Sequence, residues 1–240
     1  MNARLKFGLI TVSAVLAIVA TLMLGRWQLH RAEQKEAIQS RLERQAKLPT
    51  LTGQAVITSN DPGALLQRSV SVRGRWLADR TIFLDNRPMG GRQGLYVVTP
   101  LALEGGQAVV LVQRGWVPRN FMDRSLVPVI GTPGGTVSIE GRIAPPPGKL
   151  YEFTVAESGH IRQNLDIKNF SAEIGVPLQS WTIQQLGIAS DGLSRQWPVV
   201  SAGIEKHYGY AFQWFALSAL IAILYVWFQI VRRFIFPRRT

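Results

Sequence analysis

Residues 206–233, KHYGYAFQWFALSALIAILYVWFQIVRR, place a cluster of polar and aromatic side chains at the start of a long apolar run. The 23 residues from position 209 to position 231 contain no charged side chain. As an α-helix they would extend roughly 34 Å, at about 1.5 Å per residue. Because the hydrocarbon core of a bilayer is about 30 Å thick, the run predicts a transmembrane helix, which we bound at residues 208–231.

A second apolar run lies near the N-terminus, where residues 7–24, FGLITVSAVLAIVATLML, are 18 residues without a charge. A helix of this length extends roughly 27 Å, enough to cross a bilayer. The alternative is a secretory signal peptide. Against it, the run is longer than a typical signal-peptide core, and GRWQLHR stands where a cleavage site with small residues is expected. We therefore predict an uncleaved first transmembrane helix.

The positive charges predict the orientation of these helices. Arg4 and Lys6 precede the first helix, and the tail at residues 232–240 contains four arginines. All 15 acidic residues lie between the helices. Because Lys and Arg accumulate on the cytoplasmic side of membrane helices, we expect residues 1–6 and the tail in the cytoplasm and residues 25–207 outside it.

The net charge of +12 does not by itself indicate a nucleic-acid-binding protein. Six of the 27 basic residues flank the helices, which leaves 21 basic and 15 acidic residues between them, a net charge of +6. This middle part has no Lys/Arg run and no RNA-binding motif. We expect membrane lipid or an anionic cofactor as partners, and no nucleic acid. The lack of cysteine excludes disulfides, thiol catalysis and covalent c-type haem attachment.

Between the two predicted transmembrane helices, the composition of the chain changes twice. Residues 25–47 are rich in Gln, Glu, Ala, Arg and Leu and predict a helical extension into water, ended by Pro49. Short Val-, Ile- and aromatic-rich runs separated by turn signals then predict five strands, in an antiparallel sheet or small barrel. A short helix at 168–175 and a further strand at 181–183 complete an α+β domain. The five runs are RSVSVRGRW, RTIFLDNRP, GLYVVTPL, AVVLVQRGWVP and GTVSIEGRI.

The sequence carries none of the common catalytic motifs. There is no P-loop, GxGxxG, GxSxG or HExxH pattern, and the three histidines are far apart. A hydrolase or phosphotransferase function therefore has no residues to support it, and we predict that the protein is not an enzyme.

Two clusters of polar and aromatic side chains lie at the same predicted membrane interface. On each helix, three of them have the spacing i, i+3 and i+7, which places them on one helical face. They are Gln28, Arg31 and Lys35 beside Trp27 on the first helix, and His207, Tyr210 and Trp214 beside Gln213 on the second. An interfacial belt explains the aromatic and basic members, and Gln28 and Gln213 could pair across the helices.

The combination also fits haem, which needs a neutral imidazole for its iron, apolar or aromatic walls, and cations for its propionates. His207 would supply the imidazole, and His30 competes with it as a ligand. The candidate walls are Trp27, Tyr210, Phe212 and Trp214, and the candidate cations are Arg26, Arg31 and Lys206.

Four blocks resemble the Surfeit-locus (Shy-like) family of cytochrome c oxidase assembly proteins, in the family's order. LGRWQLHRAEQK is similar to its L-G-x-W-Q-x-x-R-x-x-K signature, and HYGYAFQWFALS to its H-x-x-Y-A-x-Q-W-F signature. The central blocks are NRPMGGRQGLYVVTPL and VLVQRGWVPR, where Gln113 stands at a usual Asn. Gly115 in the second of these suits a tight turn or bulge, a structural role.

The resemblance implies a protein of the bacterial inner membrane, multi-pass, with a periplasmic β-rich domain. It would aid haem a delivery or insertion into the catalytic subunit of a haem–copper terminal oxidase by transient haem binding, together with other assembly factors. His207 matches the family's proposed haem ligand, whereas His30 falls on a variable position. The other site residues that match signature positions are Trp27, Gln28, Arg31, Tyr210, Gln213 and Trp214.

Two alternative functions remain at this stage. The first is a scaffold without a cofactor that stabilises the oxidase subunit during assembly. The second is an enzyme that modifies haem or lipid, which the lack of an acid–base or metal cluster disfavours.

Overall fold

The computed structural model describes eight stretches of the chain: residues 3–59, 61–105, 108–120, 122–123, 126–150, 159–188, 191–198 and 203–235. It divides into two compact units. One unit comprises Met1–Ser40 with Val200–Thr240, and the other comprises Arg41–Val199.

The first unit is built from two long helices. Helix α1, Ala3–Ala46, contains the first apolar run and continues without a break through the polar extension, as predicted. Helix α4, Ile204–Tyr225, begins after Gly203 and continues as wider π-helical turns over Val226–Ile235. Both helices are long and apolar enough to cross a membrane. The predicted pair of transmembrane helices flanking a β-rich domain is therefore confirmed.

Helices α1 and α4 lie antiparallel to each other. Thr11, early in α1, has its hydroxyl 3.0 Å from that of Tyr225, late in α4, and further along α1 Gln28 contacts His207. Between these contacts the Phe215 ring occupies the space where Gly25 would carry a Cβ atom. The other buried residues of the pair are also small, as is common where helices pack against each other in lipid. They are Thr21, Ala32, Ala211 and Ser218.

In its described residues, the second unit contains eight strands and two short α-helices. The strands are β1 Leu51–Thr52, β2 Ser69–Trp76, β3 Ile82–Leu84, β4 Gly94–Leu103, β5 Val109–Pro118, β6 Thr136–Ala144, β7 Ile161–Arg162 and β8 Leu178–Gln185. The helices are α2 Gly53–Ile57 and α3 Ile167–Ile174. Asp166 caps α3 by accepting from the N–H groups of Lys168 and Asn169, and Gly175 ends it in the left-handed conformation.

Five of the strands close into a small barrel, in the order β2-β6-β8-β5-β4 and back to β2. Closure is possible because β4 pairs with β3 through its first half and with β2 through its last three residues. The five predicted strands, the helix and the additional strand are all present. One pairing in the ring, β5 with β8, is parallel. A parallel pair needs a long crossover connection, and here the chain between β5 and β8 includes β6, β7 and α3.

The interior of the barrel is filled by side chains that alternate along its strands. In β2, every second residue from Val70 to Trp76 is buried and the residues between them are more exposed, which is the period of two expected of a half-buried strand. The main core also contains Leu101, Leu103, Val110, Val112, Ile139, Ile143, Trp181 and Ile183. Phe170 of α3 packs on a second cluster that includes Ile82 and Leu111.

Candidate functional site

The contact between Gln28 of α1 and His207 of α4 is the centre of the candidate site. Both side chains are half-buried, and Nδ1 of His207 lies 2.7 Å from Oε1 of Gln28. A carbonyl oxygen can only accept a hydrogen bond, so Nδ1 of the histidine is the donor. The sequence placed both residues at one interface, and the structure brings them into direct contact.

This contact fixes the chemistry of the His207 ring. In a neutral imidazole only one nitrogen carries a proton, so a proton on Nδ1 leaves the lone pair of Nε2 available. Histidines that bind metals are typically held in this way, with the second nitrogen donating to an oxygen that orients the ring and makes it a better ligand. Gln28 therefore orients the His207 ring and leaves the lone pair of Nε2 available.

Trp27 and Arg31 form a second part of the site on α1. The guanidinium carbon of Arg31 lies 5.8 Å from the centre of the Trp27 ring, a cation–π contact. The Nη1 atom of Arg31 also donates to Oε1 of Gln34, at 3.2 Å. Both Trp27 and Arg31 are exposed, so a flat aromatic surface and a positive charge are available side by side.

Tyr208 and Glu36 make a third contact between the helices, one residue beyond His207. The Tyr208 hydroxyl donates to Oε1 of Glu36, at 2.9 Å. Sequence reasoning missed this carboxylate because it lies among many charges of a helical extension. One signal was available in the sequence. Glu36 lies eight residues after Gln28, at two successive i, i+4 spacings, which places both on one face of α1.

The remaining predicted residues of α4 do not join this network of described contacts. Tyr210 is 51% exposed, Gln213 is exposed and Trp214 is half-buried. Gln28 is bonded to His207, so the alternative pairing of Gln28 with Gln213 is wrong. Tyr210 and Trp214 still share a helical face with His207, as their spacing predicts.

His30, the competing ligand, has both of its ring nitrogens in contact with neighbours on α1. The Nε2 atom lies 2.9 Å from the amide nitrogen of Gln34, and Nδ1 lies 3.6 Å from a carboxylate oxygen of Glu33. An amide nitrogen donates, so the lone pair on Nε2 of His30 is already used. The geometry therefore favours His207 over His30 as a ligand.

The third histidine, His160, belongs to the second unit. Its Nδ1 lies 2.9 Å from the carbonyl oxygen of Thr81, and the residue borders a cleft that also includes Phe83 and Val127. Within the part of the chain that the structure describes, no group of three or more His, Cys, Asp or Glu side chains could hold a metal ion.

Gly115 has the structural role expected of it. The register of β4 against β5 shifts at this point, because Val97 faces Gly115 whereas Val98 faces Gln113. A Cβ atom on Gly115 would lie 2.6 Å from that of Leu193, so only glycine fits without displacement. The bulge inserts Arg114 between the paired residues.

Sequence reasoning did not single out Arg114, which is 1% exposed. Its guanidinium stacks 4.9 Å from the Trp76 ring centre and donates to Thr132, to the Gly131 carbonyl and to Asp191. Burial lowers the pKa of Arg114, and the Asp191 carboxylate opposes that shift. An arginine within an otherwise apolar strand was the available signal.

Comparison with known proteins matches most of the chain to one family. The sequence model of the SURF1 family matches residues 15–219. A SURF1-like protein of Rickettsia bellii is 22% identical over 89% of this chain and 88% of its own length, and one of Rickettsia felis is 25% identical over 85% and 89%. Surfeit locus protein 1 of Arabidopsis thaliana is 32% identical over 44% of this chain and 32% of its own length. Since the family model spans most of the chain and includes both Gln28 and His207, the chain belongs to the SURF1 family.

Proposed function

We propose that the protein is a non-enzymatic assembly factor for a haem–copper terminal oxidase, and that it binds haem a transiently with Nε2 of His207 as the iron ligand. The observation that carries the proposal is the 2.7 Å contact from Nδ1 of His207 to Gln28. It holds the ring in the tautomer that iron binding requires.

The surrounding residues fit the other requirements of haem. The exposed faces of Trp27 and Tyr210 offer aromatic surface, and Arg31 offers a cation for a propionate. A haem held by one imidazole against exposed side chains would be bound weakly. Weak binding suits a carrier, because a tightly held haem could not be transferred to the oxidase.

The proposed setting follows from the charges at the two ends of the chain. Residues 1–6 and 232–240 carry Lys and Arg without acidic residues, which supports a cytoplasmic position for both ends and a periplasmic position for the β-rich unit. The proposed partners are the catalytic subunit of the oxidase in a bacterial inner membrane, other assembly factors and membrane lipid.

The test is the haem-to-protein ratio and visible spectrum of the full-length protein, purified from a host that makes haem a. We expect haem in the wild type and a sharp loss in His207→Ala. The matched control is His30→Ala, which removes an imidazole from the same end of the helix pair and should leave the ratio unchanged.

Other outcomes would contradict the proposal in distinct ways. Loss of haem in the His30 variant alone would assign the ligand to His30. If the wild type binds no haem while the oxidase still fails to assemble without the protein, the cofactor-free scaffold is the correct function.

A further inference from the structure

The barrel has an opening between β6 and the chain that follows β8. The two strands pair from Ala144 opposite Thr182 to Gly141 opposite Gln185, and one further bond joins the Leu186 N–H to the Glu140 carbonyl at 3.0 Å. The next residue, Gly187, has a φ of 86°, a conformation that glycine adopts readily. The chain thereby turns away from β6, and residue 188 is an isoleucine that is 98% exposed.

As a result, the first residues of β6 have a paired strand on one side only. Residues 136–138 pair with β2. Among the residues that the structure describes, no strand pairs with their other edge. If β8 had continued straight, Ile188 would have faced Ser138, because Leu186 faces Glu140.

The backbone of Ser138 points into this opening. Ser138 lies opposite Arg73 of β2, and the Arg73 carbonyl accepts a 2.8 Å bond from the N–H of Glu104 on the other side of β2. In an antiparallel ladder, directly opposed residues either exchange both of their bonds or exchange none. Ser138 therefore directs its N–H and C=O away from β2, on the same side as the Glu140 carbonyl that bonds Leu186.

The opening forms a cleft of about 710 Å³. Volumes of roughly 300–1,000 Å³ are typical of ligand sites. Gln185 and Ile188 border it on the β8 side, and Trp76 and Arg114 border it from within the barrel. The Oε1 atom of Gln185 is buried and has no hydrogen-bond partner among the described residues.

The charges in the cleft favour an acidic occupant. Arg114 and Arg195 share one carboxylate, that of Asp191, at 3.4 Å and 2.8 Å. Within the described residues, two guanidinium groups with one carboxylate leave one positive charge uncompensated, and all three side chains are at most 13% exposed. Glu140, the other acidic residue that borders the cleft, is exposed at the end of the β6–β8 ladder.

We propose that an extended, acidic peptide segment of a partner protein adds as a strand along residues 136–138 of β6, with its carboxylate towards Arg114 and Arg195. The strand would pair with the backbone of Ser138, and its side chains would fill the cleft. This docking site is independent of the proposed haem binding, because none of its residues belongs to α1 or α4.

The test uses short, fluorescently labelled peptides of alternating Thr and Val with a central Glu, added to the full-length protein in detergent. We expect saturable binding by fluorescence anisotropy. Replacing the Glu by Lys should weaken binding by roughly tenfold or more, because it brings like charges together. Proline at alternate positions should abolish binding, because proline lacks the N–H that strand pairing requires.

Two variants of Ser138 distinguish strand pairing from other modes of binding. Ser138→Pro removes the N–H that faces the cleft without breaking a bond to β2, and should abolish binding of the Glu peptide. Ser138→Thr keeps that N–H and is the matched control. In the wild type, saturation with the peptide should slow hydrogen exchange of the Ser138 amide by roughly tenfold or more, which tests the proposal even if the proline variant does not fold.

The proposal is overturned if no peptide of the series binds, if binding survives in a folded Ser138→Pro protein, or if exchange at Ser138 is unchanged at saturation. Equal binding of the Glu and Lys peptides would overturn the acidic specificity. Self-association of the wild type that Ser138→Pro abolishes would identify a second copy of this chain as the occupant and would also overturn it.

Discussion

The β-barrel and the helix pair bury their side chains in different ways. Within the barrel, Leu101, Val110 and Ile183 are completely buried, and the buried Gln113 donates to both Thr182 and the Pro145 carbonyl. Along the helices most large apolar side chains are exposed. Across the pair, the described contacts are the Phe215 ring against Gly25 and three polar pairs.

This difference indicates which substitutions should affect stability and which should affect function. In water, burial of apolar surface stabilises the barrel, whereas lipid offers no hydrophobic gain when two helices associate. Because the helix pair has no large apolar core, a polar contact such as the one between Gln28 and His207 is an important part of the helix–helix interaction. Substitutions in the barrel should lower its stability, and substitutions at the polar pairs should alter ligand binding or helix pairing while the barrel stays folded.

The largest effect is expected for Leu101→Ala in the barrel. This removes a completely buried side chain and should lower the free energy of unfolding by about 2–5 kcal/mol. Chemical denaturation followed by tryptophan fluorescence measures it. The matched control is Leu22→Ala on α1, where the leucine is 44% exposed and the expected change is below about 0.5 kcal/mol. Equal losses in the two variants would contradict the comparison.

The second effect concerns the helix pair. Gln28→Ala removes the acceptor that orients His207 and should weaken haem binding by about 10- to 100-fold, with no change in barrel unfolding. Haem titration monitored by absorbance measures the affinity. Gln229→Ala, which removes a glutamine 22 residues further along the chain than His207, is the control and should bind haem like the wild type.

A smaller, pH-dependent effect is expected from Glu173 in the second unit. Arg162 donates to both of its carboxylate oxygens and holds the pKa of Glu173 below its usual range. The stabilisation is therefore present at neutral pH and is lost as the pH falls below about 4.3, through the lowered pKa. Because Glu173 is 45% exposed, we expect Glu173→Gln to cost up to about 1 kcal/mol at pH 7.

The measurement for Glu173 is the unfolding free energy of both proteins between pH 7 and pH 3. The difference between wild type and Glu173→Gln should shrink as the pH falls. In the control, Glu104→Gln, both partners of the ion pair with Arg73 are more than half exposed, so the difference should be smaller throughout. A difference for Glu173 that grows towards acid pH would refute the assignment.

The smallest effect is expected for Thr11→Val, which removes the hydroxyl contact with Tyr225. Hydrogen bonds between membrane helices contribute about 0.6 kcal/mol on average, so pairing of α1 and α4 should weaken only slightly. Energy transfer between labels on the two helices measures this. Gly25→Leu is a stronger perturbation of the same pairing, because its side chain would displace the Phe215 ring.

Local patterns in the sequence were sufficient to predict the two long helices, the strands β2–β6 and β8, and helix α3. The alternation in β2 and the length of the two apolar runs each depend on neighbouring residues only. The parallel pairing of β5 with β8 could not be predicted in this way, because it depends on how distant segments share one core. The two-residue strand β7 is too short to have a pattern.

The candidate site was predicted in part. The predicted topology placed Gln28 and His207 in the same interfacial layer, and the structure brings them into contact. Their direct contact joins positions 179 apart in the chain, so it depends on how the two helices align. Helical spacing places Arg31 on the same face as Gln28, yet Arg31 is exposed. The face of α1 that packs on α4 is the one that carries the small buried residues Gly25 and Ala32.

The central claim is that Nε2 of His207 binds haem iron, and its most direct test is chemical rescue. His207→Gly removes the imidazole, and exogenous imidazole can then occupy the vacated space and bind iron. We expect the variant to lose the haem spectrum of the wild type and to regain it on addition of imidazole, whereas His30→Gly should need no rescue. Retention of the wild-type spectrum in His207→Gly without imidazole would contradict the claim.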